Sequence, residues 1–282
     1  MNLFEGEFYL KPIDEIQIKK IKEFIFKNGR LLERRFFSFF FENGNKDDAI
    51  KALMAYQNVD GGFGNGIEPD LLCPDSTAIG AETAMYYLDL LECGDHEITD
   101  QLFNWIIKEQ NEEGYINHPP ENMYKYPFQD WWRNPDDFRI LALSGFLKKW
   151  GLKDVTFFKK VQGFYSKSSP PKDFKFYEYP YFIYLKYLGE TDEEKNTLQN
   201  IINQLPSLFE KNKEHYPLFN RAWYHALDVV DDKIKEVEVN NFISGIDNDG
   251  GLKIFYQDLP WWRPIWILEG LILLKKSGMI EF

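Results

Sequence analysis

The chain has 282 residues, 44% hydrophobic and 28% charged, enough to bury a sizeable core in one large domain or two small ones. With 33 basic against 45 acidic residues the formal charge is −12, and no local basic patch offsets it, which excludes general attraction to nucleic acid or anionic membrane surfaces. The aromatic share is 17%, a composition that lines clefts for apolar or sugar ligands as readily as it fills cores.

Cys73 and Cys93 are the only cysteines, fewer than an oxidised secreted framework uses, so a reduced, cytoplasmic setting is expected. Met1-Asn2-Leu3-Phe4-Glu5-Gly6-Glu7 has neither the basic nor the apolar region of a signal peptide. No membrane span is expected either: the longest apolar run, Ile265 to Leu274, carries Glu269 in its middle.

In chain order, Ile18, Ile21 and Ile25 predict a helix over 14–27, stopped at Asn28-Gly29. A phenylalanine-rich helix follows over 31–42. A third, over 46–57, is one-sided on Ile50, Leu53 and Met54, with Asp47 and Asp48 at its positive end. After the glycine-rich stretch Gln57 to Asp70, the segment 76–91 is apolar almost all round and therefore reads as buried on every side.

The alternation then repeats. Residues 98–110 are one-sided, with Thr99 as predicted N-cap. Asn134-Pro135 predicts the start of a buried helix over 136–150 whose interior charge is Arg139. Segment 154–167 is one-sided, 180–188 short and aromatic. Thr191-Asp192-Glu193-Glu194 is a capping box opening a helix that Pro206 ends or kinks. A more buried helix over 217–230, a one-sided one over 231–244 and a buried one over 264–276 complete the series. Twelve helices in six pairs over 282 residues give 47 residues per pair, a period that means stacked helical hairpins. Because one helix of most pairs reads as buried, a closed ring with inner and outer layers is favoured over an open solenoid. The expectation is therefore an all-α, single-domain (α/α)6 barrel spanning 1–282, with a central cavity.

Internal repeats carry the same message. Gln57-Asn58-Val59-Asp60-Gly61-Gly62-Phe63 matches Gln110-Asn111-Glu112-Glu113-Gly114-Tyr115, and a third copy is Asp247-Asn248-Asp249-Gly250-Gly251-Leu252. Each follows a one-sided helix and has turn chemistry: Asn and Asp for Asx turns, Gly for positive φ. A second repeat pairs Phe128-Gln129-Asp130-Trp131-Trp132-Arg133-Asn134-Pro135 with Tyr256-Gln257-Asp258-Leu259-Pro260-Trp261-Trp262-Arg263-Pro264.

Gln-x-x-Asp-Gly-Gly-Phe between an outer and an inner helix resembles the repeat of the terpenoid cyclase and protein prenyltransferase α/α toroids; Gln57 to Asp75 is similar to an uncharacterised bacterial branch of that superfamily. The resemblance implies the toroid, a cavity opening at the inner-helix ends, and a small organic, isoprenoid-type ligand. It does not extend to catalytic motifs. Asp-x-Asp-Asp and Asp-Asp-x-x-Asp are absent. In place of Asp-x-Cys there is only Cys73-Pro74-Asp75, with no histidine set to complete a zinc site.

Chemistry-bearing residues cluster on the same stretches. Between Asp60 and Asp75, Asn65, Glu68 and Asp70 lie in an extension that the other repeat copies lack, and turn chemistry does not account for Glu68-Pro69-Asp70. A hard divalent cation there is the lesser reading, since the spacing matches no named loop; no cofactor and no metal ligand set are assigned. Glu82 and Glu269 are lone carboxylates in buried helices, either acids or partners of a buried arginine such as Arg139 or Arg263. Asp130, Trp131, Trp132 and Arg133, with Asp258, Trp261, Trp262, Arg263 and Trp266, supply indole faces and guanidinium forks for a ligand, or else pack their own loops. Among His96, His118, His215 and His225, none shows metal spacing, and His225 alone sits in a buried-type helix as a core histidine or a base. Glu68, Asp70, Glu82 and Glu269 are thus the candidate catalytic residues. The alternatives to the isoprenoid reading are a carbohydrate hydrolase or lyase, with an oligosaccharide as ligand, and a non-catalytic binding protein.

Overall fold

The computed structural model describes residues 13–168, 170, 172–214, 218–253, 256 and 258–280; the N-terminal stretch, His215, Pro217 and Gln257 discussed above lie outside that set. Among the described residues the protein is all-helical, and its only β pairing is in isolated bridges. Eleven α-helices are described: α1 Glu15–Asn28, α2 Leu31–Phe41, α3 Lys46–Met54, α4 Ala78–Leu90, α5 Glu97–Glu109, α6 Arg139–Lys149, α7 Val155–Lys167, α8 Tyr179–Leu188, α9 Asp192–Asn212, α10 Asp232–Ser244 and α11 Trp262–Lys276. None is long and apolar enough to cross a membrane.

The chain divides into two compact units, one comprising residues up to Gly44 together with Leu205 onward, the other Asn45–Gln204. In the 45–204 unit, α4 is buried along every residue but Asp89, α6 from Ile140 to Leu147, and α8 from Pro180 to Leu185. α6 packs against both α4 and α8, while the one-sided α3 and α5 cover α4 and α7 covers α6. The all-round apolar character of α4 thus has a direct cause: both its flanks are occupied. In the other unit, α11 is buried from Ile267 to Leu274 and packs on α1 and α2.

Local chemistry explains most boundaries and corrects several expectations. Asp14 and Gln17 form the capping box that starts α1. α3 stops at Met54 because Gln57 turns to bridge with Phe63. Thr77 caps α4, accepting from the Gly80 amide. His96, not Thr99, caps α5; the Thr99 hydroxyl is buried and donates to the Cys93 carbonyl at 2.7 Å. Asn134 does not cap α6: its amide donates to the Trp131 carbonyl, closing a 3-10 turn over Asp130–Arg133, and α6 begins at Arg139. The buried segment expected over 217–230 is a 3-10 turn, Arg221–Ala226, started by Asn220, whose side chain accepts from the Ala222 amide. Pro206 does not end α9 but lies inside it.

The three Gly-containing turns are equivalent in detail. In each, the first Asn or Asp donates its amide to a carbonyl four residues on: Asn58 to Gly62 at 2.8 Å, Asn111 to Tyr115 at 2.9 Å, Asp247 to Gly251 at 2.8 Å. Gln57 donates to the carbonyls of Gly61 and Ile98, and Gln110 to those of Gly114 and Phe157, so each glutamine ties its turn to the next one-sided helix. Gly61 and Gly250 both have φ +91, and a β-carbon at either would overlap a helix carbonyl, that of Gln101 in α5 or Lys20 in α1. The last turn therefore docks on the first helix, as each earlier one docks on the next.

Candidate functional site

The 64–72 loop and the 127–133 loop are one structure rather than two walls of a gap. Leu71 bridges with Phe128, the Leu72 amide donates to the Pro127 carbonyl, and the Gln129 amide to the Asp70 carbonyl at 3.0 Å. The Asp70 carboxylate, buried, accepts from the Trp132 indole at 3.0 Å. Trp132 packs on Leu71, Cys73, Ile79 and Met123. Glu68 is also buried and accepts from the Thr83 hydroxyl on α4 at 2.5 Å. Asn65 is exposed, in a left-handed turn with φ +55, and donates to Asn58, which in turn holds the Pro74 carbonyl and Ser76. Asp60 accepts from the Gly62 amide and the Ser76 hydroxyl, the role that Asp249 fills against the Gly251 amide in the third turn.

Beside these loops lies a buried ion-pair network across the N-terminal parts of α4, α6 and α8. Arg139 donates Nη1 to Glu82 Oε2 at 2.8 Å, and Nε and Nη2 to the two oxygens of Asp136 at 2.9 and 3.1 Å. Tyr179 donates its hydroxyl to Glu82 Oε1 at 2.7 Å and receives a bond from Arg139 Nη1. Burial alone would release the Arg139 proton more easily, but Asp136, Glu82 and Tyr179 outweigh it and hold the guanidinium well above its ordinary pKa. Burial also pushes the Tyr179 phenol well above its ordinary range, so it remains a proton donor. The Glu82 side chain is 9% exposed and that of Asp136 19%. His118 lies next to this network: its Nε2 donates to the Trp132 carbonyl at 2.9 Å, and burial lowers its pKa.

At the rim, Asp130 and Arg133 form an exposed pair, and Trp131 is 40% exposed. Tyr124, Tyr126 and Phe138 are exposed in the same loop.

The second tryptophan pair is arranged differently. Trp262 is buried with Leu259 and Ile265 and lies 5.6 Å from Trp266, with the Arg221 guanidinium 5.2 Å from the Trp262 ring. Glu269, fully buried, accepts from the Arg221 amide at 3.4 Å. Arg263 is not its partner: it forks onto Asp249 at 2.8 and 2.7 Å and donates Nε to the Leu252 carbonyl, locking the third turn. This pairing pulls the Asp249 carboxyl below its usual range. Trp261 and Asp258 are exposed, and His225 is buried against the Tyr224 ring.

The sequence marks Arg139 as the interior charge of its helix and as a partner for a buried acid, and marks no site role for Asp136, Thr83 or Tyr179. Arg139 was legible as the lone interior charge of its helix; Tyr179, forty residues further on, carried no local signal.

Among the described residues no group of three His, Cys, Asp or Glu side chains converges as a metal site. Cys73 and Cys93 are buried free thiols. A cavity of about 920 Å3 lies between α7 and α9, lined by Gln162, Tyr165, Glu193, Asn200 and Gln204, and none of the candidate residues borders it. No protein-family model, curated protein or solved structure matches this chain.

Proposed function

We propose that this chain is an (α/α)6 toroid that binds, and acts by acid–base chemistry on, a small hydroxylated organic ligand at the N-terminal ends of α4, α6 and α8. Closure of a ring is supported by the turn geometry, in which each Gly-containing turn docks on the next outer helix and the last on α1. Likeness to the terpenoid cyclase and prenyltransferase toroids is part of the same proposal and concerns architecture.

The observation that carries the functional reading is the hydrogen-bond balance of the buried network. Every nitrogen of Arg139 already donates, and the Tyr179 hydroxyl is committed to Glu82. Each carboxylate oxygen has two lone pairs, so Glu82 and Asp136 retain acceptor capacity, while all three nitrogens of the cation are engaged and four of its five N–H groups are used. Such a site selects hydroxyl donors and disfavours a diphosphate, which favours a carbohydrate over an isoprenoid diphosphate. Exposed rings beside it, Tyr124 and Trp131 among them, suit the apolar faces of sugars. In this reading Glu82 takes up a proton from a ligand hydroxyl, and Tyr179, by donating to Glu82, holds that carboxylate in place.

Thermal unfolding of the protein with neutral oligosaccharides, acidic oligosaccharides, prenyl diphosphates and divalent cations tests this. Stabilisation by a saccharide is expected; stabilisation by prenyl diphosphates alone, or by nothing in the panel, rejects the carbohydrate reading.

A further inference from the structure

Resting on the reading above, the ligand's charge follows from a comparison of three arginines. All three nitrogens of Arg139 are hydrogen-bonded, to Asp136, Glu82 and Tyr179, and all three of Arg263, to Asp249 and the Leu252 carbonyl. Arg133 differs. Only its Nε is hydrogen-bonded, to Asp130 Oδ1 at 3.1 Å, and its two terminal nitrogens make no hydrogen bond among the described residues.

The side chain is nonetheless held. Its guanidinium lies 4.6 Å from the Phe128 ring centre and 5.8 Å from that of Tyr124, and those rings meet edge to face at 5.7 Å. Phe128 is fixed in turn by the bridge to Leu71. Ring contact restrains the guanidinium while its terminal N–H pair stays available, the arrangement in which an arginine fork takes a carboxylate with the least loss of rotamer freedom. The chain as a whole, at −12, does not draw anions in from a distance, so recognition would rest on this short-range fork.

We infer that Arg133, clamped by Phe128 and Tyr124, recognises the carboxylate of an acidic sugar whose hydroxyls are bound by Glu82 and Asp136.

The test is a thermal-shift titration of the full chain with trigalacturonate and with its methyl ester, in which each carboxylate is capped by a neutral methyl group. Wild type is expected to bind the acid at least tenfold more tightly than the ester. Arg133→Gln should bind both alike, at the ester's affinity. Arg133→Lys, which keeps the charge but loses the fork, should retain less than a tenth of the acid's advantage. Because Arg133 is exposed, the unliganded variants should melt with wild type, and rescue by Lys to full preference would reject fork recognition. Equal binding of acid and ester by wild type, or a preference that survives Arg133→Gln, overturns the inference and leaves the hydroxyl site standing. Failure of both to bind, with neutral oligosaccharides also inert, overturns the inference and the proposed function together.

Discussion

Tyr179 donates its hydroxyl to Glu82 at 2.7 Å, joining the first residue of α8 to the second turn of α4 across ninety-seven positions of sequence. Arg139, first residue of α6, lies between them and bonds to both. Three buried helices that pack side by side therefore share one polar network at one end. Taking charges out of water is costly, and the network survives because each member is satisfied by another.

Removing the cation should expose that cost. Arg139→Leu leaves Glu82 and Asp136 as partly buried carboxylates without their cation, and a loss of about 3–5 kcal/mol is expected. Glu82→Gln keeps the shape and one acceptor, and about 1–3 kcal/mol is expected. Urea unfolding measures both, and equal losses would show that Arg139 does not hold the network together.

The turn that docks on α1 gives a second test. Gly250→Ala forces a β-carbon onto the Lys20 carbonyl at φ +91 and should cost about 2 kcal/mol or more. Gly94→Ala meets nothing within 4 Å and should change stability by less than about 0.5 kcal/mol. A neutral Gly250→Ala would contradict the close approach of the third turn to α1.

Gln110 reports on how turns are tied to neighbouring helices. Its buried amide serves the Gly114 and Phe157 carbonyls at 3.2 and 3.3 Å. Gln110→Leu strips both acceptors of a donor and should cost about 1–3 kcal/mol by chemical denaturation. Gln57→Leu should behave alike, since its bonds are the same in kind.

His118 should make stability depend on pH. Burial lowers its pKa, with Arg139 adding to the effect and Asp136, Asp137 and the bond to the Trp132 carbonyl opposing it. The unfolded chain therefore takes up a proton near pH 6.5 that the folded chain refuses. Stability from this group is intact above that value and falls as pH drops from about 6.5 towards the lower folded pKa. His118→Gln should lack this component, so its stability relative to wild type should rise between pH 7.5 and 5.5. Asp137 does not imitate the pattern: its carboxyl is raised by burial and then by Asp136, so its contribution to stability grows as pH falls, with the opposite sign.

The helices were legible where their chemistry is local. Asp14, the capping box at Thr191, and the all-round apolar run of α4 each state a boundary or a burial within a few residues. The turn repeat was legible for the same reason, and Asp60 proved to be turn chemistry. What escaped depends on partners distant in sequence. Trp132 with Asp70, and Arg139 with Glu82 and Tyr179, are brought together by packing that no short pattern encodes. Nor did sequence distinguish the arginines of the two Trp-Trp-Arg segments. Arg263 is consumed by Asp249, whereas Arg133 is stacked and open, because the third turn carries an aspartate within reach of its arginine.

The most direct measurement is the ligand-induced thermal shift of wild type against Tyr179→Phe over the saccharide panel. At a ligand concentration about a hundred times the dissociation constant, binding contributes about 2.7 kcal/mol, or about 5–10 °C for a chain of this size. A shift of that size in wild type, reduced to less than about 2 °C in a Tyr179→Phe variant that still unfolds cooperatively, is the expected result. An equal shift in the variant, or none in wild type with any saccharide, contradicts the assignment of the Glu82–Arg139–Tyr179 network as the ligand site.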